Sequence, residues 1–283
     1  MLEDIVSKNG NILPKEDATI SVDNIEYCYG FGVYETIKVR NHIIYFPEEH
    51  IKRLFESANI IELTHQFTEK EVLKFLQEFM QRIKKESYNI KIQLIGTTQP
   101  NIAEIYIFAT SPLFLTTQMK NQGVKTILVN GERQYPKAKT MNMLTSYLAY
   151  KNAKKVNAYD ALLIDTQGFI HEGTRANLFY TDGETIFTPP KNTVLDGVTQ
   201  NTVIEALQKE GIKVIQRELK KEELSSFTGY FLTSTSINIL PITTIDSTQF
   251  LIPPIVKKAI LIYENYLKTY LEKQTPIEIA LVE

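Results

Sequence analysis

Apolar positions along this chain follow two periods that alternate. Residues 33 to 46 (VYETIKVRNHIIYF) are rich in β-branched and aromatic side chains and break at Asn41-His42, the pattern of a hairpin. From Glu48 the period becomes helical, with Ile51, Leu54, Phe55, Ala58 and Ile61 on one stripe, and Val72, Phe75, Leu76, Phe79, Met80 and Ile83 make a second. Alternation returns at 90–95 (IKIQLI) and 104–109 (EIYIFA) about a turn-like TTQPN, which predicts an antiparallel sheet with both helices packed on it. Residues 113–123 carry neither period cleanly and end in Gly123, as a connector does.

Beyond the connector the pattern predicts a strand at 124–129, a helix near 143–156 and a strand at 160–165. A strand pair at 168–181 and 184–188 turns about Asp182-Gly183, followed by a helix at 199–210 and strands at 212–216 and 230–233. The last helix starts near 254, with the stripe Val256, Ala259, Ile260, Tyr263, Leu267 and Tyr270. No repeat of 20 to 50 residues recurs. At 283 residues the chain exceeds the size at which one hydrophobic core stops growing. The expected organisation is a small α+β domain at 1–112, a connector at 113–123 and a larger domain at 124–283.

Composition removes several function classes. Hydrophobic residues at 43% and charged residues at 23% describe an ordinary globular chain, which disfavours disorder and rod-like repeats. With 31 Lys+Arg against 33 Asp+Glu and no basic stretch, nucleic acid is a poor partner. The single cysteine, Cys28, cannot form an internal disulfide, and the four histidines show no zinc-site spacing, so no metal is expected. The opening MLEDIVSKNG is unlike a secretory signal and no later segment is long and apolar enough to span a membrane, so the expectation is a cytoplasmic protein without a membrane partner.

Candidate chemistry is scattered but mutually consistent. Lys139, in KAKTMNML, stands at the mouth of a helix, where the helix dipole and partial desolvation favour the neutral amine a Schiff-base lysine needs; a solvated loop lysine beside Lys137 is the alternative. Glu172, in GFIHEGTRANLFY, is an acid in a segment that reads as buried strand, so it requires a cationic or proton-donating partner; a salt bridge to Arg175 or an exposed turn is the plainer option. LDGVTQNTVIEAL (195–207) opens a helix with Gly197 and Thr199, either an anion seat or an ordinary N-cap by Thr199. Thr233, Ser234, Thr235 and Ser236 add hydroxyls at a strand end. Arg53, in EEHIKRLFESA, suits phosphate, or else pairs with Glu49 one turn earlier. A lysine, a buried acid, a helix-terminus anion seat and an arginine together suit an electron-sink aldehyde bearing a phosphate and a pyridine nitrogen.

Six ordered motifs, YGFGVYETIKV, EEHIKRL, KTMNML, HEGTRANLF, LDGVTQNTVIEAL and FLTSTSINILPIT, make the sequence resemble the class IV, fold-type IV pyridoxal phosphate enzymes. That family comprises branched-chain aminotransferases, D-amino-acid aminotransferases and 4-amino-4-deoxychorismate lyases. The resemblance implies an α+β, two-domain fold, with a small α+β N-terminal domain, a larger C-terminal domain around a β-barrel-like core, an active site between them, and a homodimer. It also implies pyridoxal 5'-phosphate as cofactor and a ping-pong transamination between an α-amino acid and a 2-oxo acid. By matching position, Lys139 resembles the Schiff-base and proton-transfer lysine, and Glu172 the partner of the pyridine nitrogen. Arg53, Val198, Thr199, Ser234 and Thr235 resemble the phosphate donors, and Leu195 the residue on the ring face. Tyr34, Lys91 and Ser236 fall to the substrate pocket. The loop GTTQPNIAE (96–104) lacks the arginine and histidine with which D-amino-acid enzymes hold the substrate carboxylate, and Asn142-Met143-Leu144 replaces the Gly-Asn-Tyr of branched-chain enzymes. The hand of the substrate therefore stays open between D- and branched-chain L-amino acids, with pyruvate elimination as in the lyases the alternative reaction.

Overall fold

The computed structural model describes residues 4–99 and 101–279. The chain divides into two compact units. One holds the residues up to Leu113, then Ala138–Asn142 and the stretch from Lys273; the other holds Phe114–Lys137 and Met143–Glu272. The first boundary falls where the period of the sequence changes. The return of 138–142 and of the C-terminal stretch to the first unit differs from the simple 124–283 block, because five residues are too few to show a period of their own.

In the first unit the strands are β1 (Ile5–Lys8), β2 (Asn11–Pro14), β3 (Gly32–Arg40), β4 (Ile43–Ile44), β5 (Tyr88–Gly96) and β6 (Ala103–Thr110). Its helices are the short α1 (Ile25–Cys28), α2 (Pro47–Ile60) and α3 (Glu69–Met80). The strands form one antiparallel sheet in the order β2-β1-β6-β5-β3-β4. Asn41 and His42 both adopt positive φ, the geometry that a two-residue hairpin turn requires. Helix α3 starts at a capping box, in which Thr68 Oγ1 accepts from Glu71 N–H while the Glu71 carboxylate accepts from Thr68 N–H. Val33, Ile37, Ile90 and Ile92 of the sheet pack with Ile51, Leu54, Val72, Leu76 and Phe79 of the helices. Ile83, placed on the α3 stripe by period, lies beyond the helix end but is fully buried in that core.

In the second unit, α4 (Thr117–Gln122) occupies the expected connector, capped by the Thr116 hydroxyl and ended by Gly123 at φ +73°. It buries no residue, which is why no apolar stripe announced it. There follow β7 (Val124–Asn130), α5 (Leu144–Lys155), β8 (Asp160–Ile164), β9 (Phe169–Gly173), β10 (Asn177–Thr181), β11 (Ile186–Thr188), α6 (Val198–Lys209), β12 (Val214–Gln216) and β13 (Leu219–Lys220). A 3-10 turn, Lys221–Ser226, leads to β14 (Gly229–Ser234), β15 (Asn238–Ile245), β16 (Thr248–Gln249) and α7 (Pro254–Leu271). The expected single strand at 168–181 is thus two, β9 and β10, joined by a tight turn in which Gly173 N–H donates to Ala176 O at 2.8 Å.

Strand β15 went unread in the sequence because Pro241 interrupts it, and proline argues against a central strand. Yet β15 lies between β14 and β7, and its parallel pairing to β7 begins only at Ile242, past the missing N–H. Hydrogen-bonded neighbours run β10-β14-β15-β7-β8-β9, and β9 pairs back to β10, so this part of the sheet closes into a barrel. Leu162, Ile170, Leu178, Tyr180, Leu232, Leu240 and Ile242 fill its core.

The closing contact is a single pair, Glu172 opposite Asn177. Leu162 opposes Gly173 while Ile164 opposes Ile170, so β9 carries one more residue than β8 across that interval. Such a bulge reverses which residues face inward. Ile170 points into the barrel core, whereas Glu172, two residues on, shares its face with Asn177 rather than with Ile170.

Leu232, fully buried in the barrel core, tests how tightly this interior is packed. The substitution Leu232→Ala should reduce unfolding free energy by about 2–5 kcal/mol, read as a lower urea midpoint for the second unit's transition.

Candidate active site

In the first unit, residues 138–142 act as an added edge strand. Thr140 bridges Val33, Tyr34 N–H donates to Lys139 O at 2.9 Å, and Met141 N–H donates to Gly32 O at 2.8 Å. Lys139 N–H in turn donates to Ser57 Oγ of α2 at 3.0 Å. Both main-chain polar groups of Lys139 are therefore fixed. Its Nζ lies 4.7 Å from the centre of the Tyr34 ring, and Lys91 Nζ lies 4.2 Å from the same ring. Lys91 reaches Tyr34 because β5 runs antiparallel to β3 with Lys91 opposite Thr36, two residues from Tyr34 on the same face. Of the sequence candidates, Lys139, Tyr34 and Lys91 are thus brought together.

On the opposite face of β3, Glu35 is fully buried among apolar neighbours. Arg53 grips it twice, Nε to Oε1 at 2.7 Å and Nη2 to Oε2 at 2.8 Å, and His50 Nδ1 lies 2.8 Å from Oε2. Arg53 therefore pairs with Glu35 rather than with Glu49, and is itself only 7% exposed. Burial pushes the Glu35 carboxyl up, but the Arg53 and His50 groups outweigh it and hold the carboxyl far below the usual carboxylate range. Burial lowers His50, which makes it a neutral ring donating its Nδ1 proton to Glu35.

In the second unit, Glu172 gathers a different set. Its Oε1 accepts from Arg133 Nη1 at 3.1 Å and its Oε2 from Leu195 N–H at 3.4 Å. The expected cationic partner of Glu172 is therefore Arg133. Arg175 instead stacks on Tyr150 of α5, 4.3 Å from the ring centre. Asn177 Nδ2 donates to Leu195 O at 2.8 Å, fastening the same segment from the neighbouring strand. Helix α6 is capped by Gly197, not by Thr199; Gln200 Oε1 accepts from the Gly197 N–H at 3.3 Å, and no side chain of the N-cap reaches the N–H groups of the first turn. A Cβ at residue 197 would overlap Asn177 Oδ1, so glycine lets the backbone come close enough for Asn177 to hold it. Val198 and Thr199 form the first turn, both nearly buried, where helix N–H groups have no intrahelical acceptor. Ser234, Thr235 and Ser236 occupy the half-buried turn from β14 to β15. Thr233, paired with Asn177 across the sheet, has a buried hydroxyl with no protein partner.

The class IV amino-transferase family model matches residues 32–245. The chain belongs to that family. Similar curated proteins include a D-alanine aminotransferase of Bacillus licheniformis, 26% identical over 84% of this chain and 87% of that one. Another is a putative branched-chain-amino-acid aminotransferase of Methanocaldococcus jannaschii, 28% identical over 84% of this chain and 86% of that one. Among solved structures, the branched-chain aminotransferase of Thermoproteus uzoniensis with norvaline aligns at a TM-score of 0.87, with 25% identity over 95% of both chains. A second branched-chain amino acid aminotransferase, solved with pyridoxamine 5'-phosphate, also aligns at 0.87, with 25% identity over 97% of this chain and 96% of that one. The fold is that of the fold-type IV enzymes, as the motifs implied, and the chain is a pyridoxal phosphate-dependent transaminase acting on α-amino and 2-oxo acids.

The second unit's residues fit such a cofactor on their own chemistry. Val198 and Thr199 head a helix start whose first-turn N–H groups no N-cap side chain takes up, which suits a phosphate, with hydroxyls at 234–236, and Glu172 is a carboxylate kept near a guanidinium. Three residues that matter to this class IV aminotransferase escaped the sequence reading. Arg133 and Asn177 act across the fold, with no local signal. Glu35 had one: an acid between Val33 and Ile37 at an inward position of β3 demands a partner.

Acid stability should report the Glu35 cluster. Glu35 and His50 both have folded pKa values below their unfolded ones, so each contributes stability that is present at neutral pH. That contribution is lost as the pH falls, first below the ordinary histidine range and then below the ordinary glutamate range. In Glu35→Gln the second, more acidic part of that loss should flatten, while stability at neutral pH drops by about 3–5 kcal/mol because Arg53 is left buried without its counter-charge. Urea midpoints measured from pH 7 downward check both.

Proposed function

We propose that Lys139 is the nucleophilic and proton-transferring lysine of this transaminase and Glu172 its electron-sink acid. Bound pyridoxal 5'-phosphate supplies a carbonyl that exchanges the amino group and a ring that accepts electron density from the substrate's Cα. Lys139 would hold that carbonyl through its amine, and that same amine would take the proton from the substrate's Cα and return it. The carbonyl and N–H of its main chain are held by Tyr34 and Ser57, so the amine starts from a fixed base. Glu172, paired with Arg133, would hold the proton on the ring nitrogen. Arg53, the first N–H groups of α6 at Val198 and Thr199, and Ser234 and Thr235 would hold the phosphate, and Leu195 would face the ring. The observation that carries the reading is Lys139 anchored at the β3 edge with its amine over Tyr34.

Lys91 shares that aromatic ring with Lys139 and is the cation we assign to the substrate carboxylate, with Tyr34 and Ser236 lining the pocket. We place the enzyme in the cytoplasm as a homodimer. Support for the dimer comes from α5, where Leu144, Tyr147 and Leu148, one helical stripe, are 64%, 57% and 50% exposed. A monomeric mass by light scattering would overturn it.

Lys139→Ala should slow amino transfer by at least about 10²–10⁴-fold and abolish the lysine-linked chromophore, with Glu172→Gln slowing the half-reaction while the chromophore persists. Absorbance on adding L- and D-amino acids singly reads both and gives the hand of the donor; an eliminated product appearing without any 2-oxo acid would overturn transamination. Lys91→Met should raise KM about 10–100-fold with kcat nearly unchanged, and an unchanged KM would remove Lys91 from carboxylate recognition.

A further inference from the structure

We infer that Glu132, Asp165 and His171 form a binding site for one divalent transition-metal ion, at the barrel rim where β7, β8 and β9 meet. The topology makes the site. Strands β7 and β8 run parallel and end side by side, with Asn130 opposite Ile164, and β9 comes back antiparallel with Ile170 opposite Ile164. The residues just past the two ends, Glu132 and Asp165, therefore meet His171 near the start of β9. One ligand atom from each lies within 4.8 Å of the others.

The geometry of each ligand suits a metal. Asp165 Oδ1 is committed to its own turn, accepting from Gln167 N–H at 2.8 Å and Phe169 N–H at 2.9 Å, which orients the carboxylate. Its other oxygen lies 2.9 Å from His171 Nε2. Two donors that far apart, each about 2.1 Å from a shared ion, subtend roughly a right angle, the angle between neighbouring ligands of an octahedral rather than a tetrahedral ion. Binding uses the tautomer with the proton on Nδ1, leaving the Nε2 lone pair for the ion. Glu132 is exposed, and a small rotation brings its oxygen within the roughly 4.2 Å that two ligands on one ion can span.

A cavity of about 290 Å³ adjoins the two carboxylates, lined by Glu132 and Asp165 together with Asn130, Gly131 and Thr166, while His171 approaches Asp165 from outside that lining. Two carboxylates face one lining cation, the exposed Lys221, so the site is net negative. One imidazole with two carboxylates selects zinc-like ions over calcium or magnesium, which prefer oxygen alone. The spacing of the histidines had suggested no metal, because these ligands come from three strands rather than one motif. The site also sits one residue from each partner of the Arg133–Glu172 ion pair, since Glu132 precedes Arg133 and His171 precedes Glu172.

The test is calorimetric titration of zinc chloride into the chelator-washed holoenzyme. One ion per chain is expected, with affinity falling at least tenfold in His171→Ala and in Glu132→Gln. Glu132 is exposed and takes no part in the Asp165 turn, so its variant remains informative if His171→Ala folds poorly. No saturable binding, wild-type affinity in Glu132→Gln, or tighter binding of calcium than of zinc would overturn the site.

Discussion

One backbone pairing, Glu172 opposite Asn177, shuts the barrel, and the chemistry of the second unit depends on it. A carboxylate at a strand position beside Ile170 belongs by simple alternation to an apolar interior, where an unpaired charge costs several kcal/mol. The bulge in β9 moves Glu172 to the other face, where Arg133 and the Leu195 N–H meet it. Asn177, its opposite number, secures the Leu195 carbonyl, and Gly197 permits that approach. Sheet closure, charge neutralisation and the placement of the α6 start are one arrangement. Beneath it, Asp160 accepts from the Thr174 hydroxyl and from Ala161 N–H, tying the β9–β10 turn to β8.

The first unit solves a comparable problem with a counter-ion. Glu35 and Arg53 share a two-point contact in the core below the sheet, with His50 satisfying a carboxylate oxygen. A bidentate pair leaves the guanidinium little freedom, so its direction is set by the protein before any anion reaches it. Tyr34, on the other side of the same strand, has the Nζ atoms of two lysines near its ring. Adjacent residues of β3 thus serve structure and chemistry on opposite faces.

Much of this was legible in the chain. The helical stripes of α2, α3 and α7 and the alternation of β5 and β6 reflect one-sided burial, which local sequence records directly. Lys139, Glu172 and the α6 start were readable because their motifs are contiguous. What escaped depends on contacts between distant residues: the β9 bulge, Arg133 facing Glu172 from 39 positions away, and Asn177 holding Leu195. Pro241 concealed β15 because its lost N–H falls where pairing to β7 has not yet begun, a circumstance only topology reveals. Helix α4 was hidden for the opposite reason, having no buried side to leave a pattern.

The edge strand at 138–142 also orders events during synthesis. Domains fold largely as units while the chain emerges from the ribosome, N-terminal first. Here β3 waits with its upper edge uncovered until residue 142 has been made, and His42 waits longer still for the N–H of Ile277. The first unit to begin folding is therefore among the last to be finished, and the lysine is the piece that completes its edge.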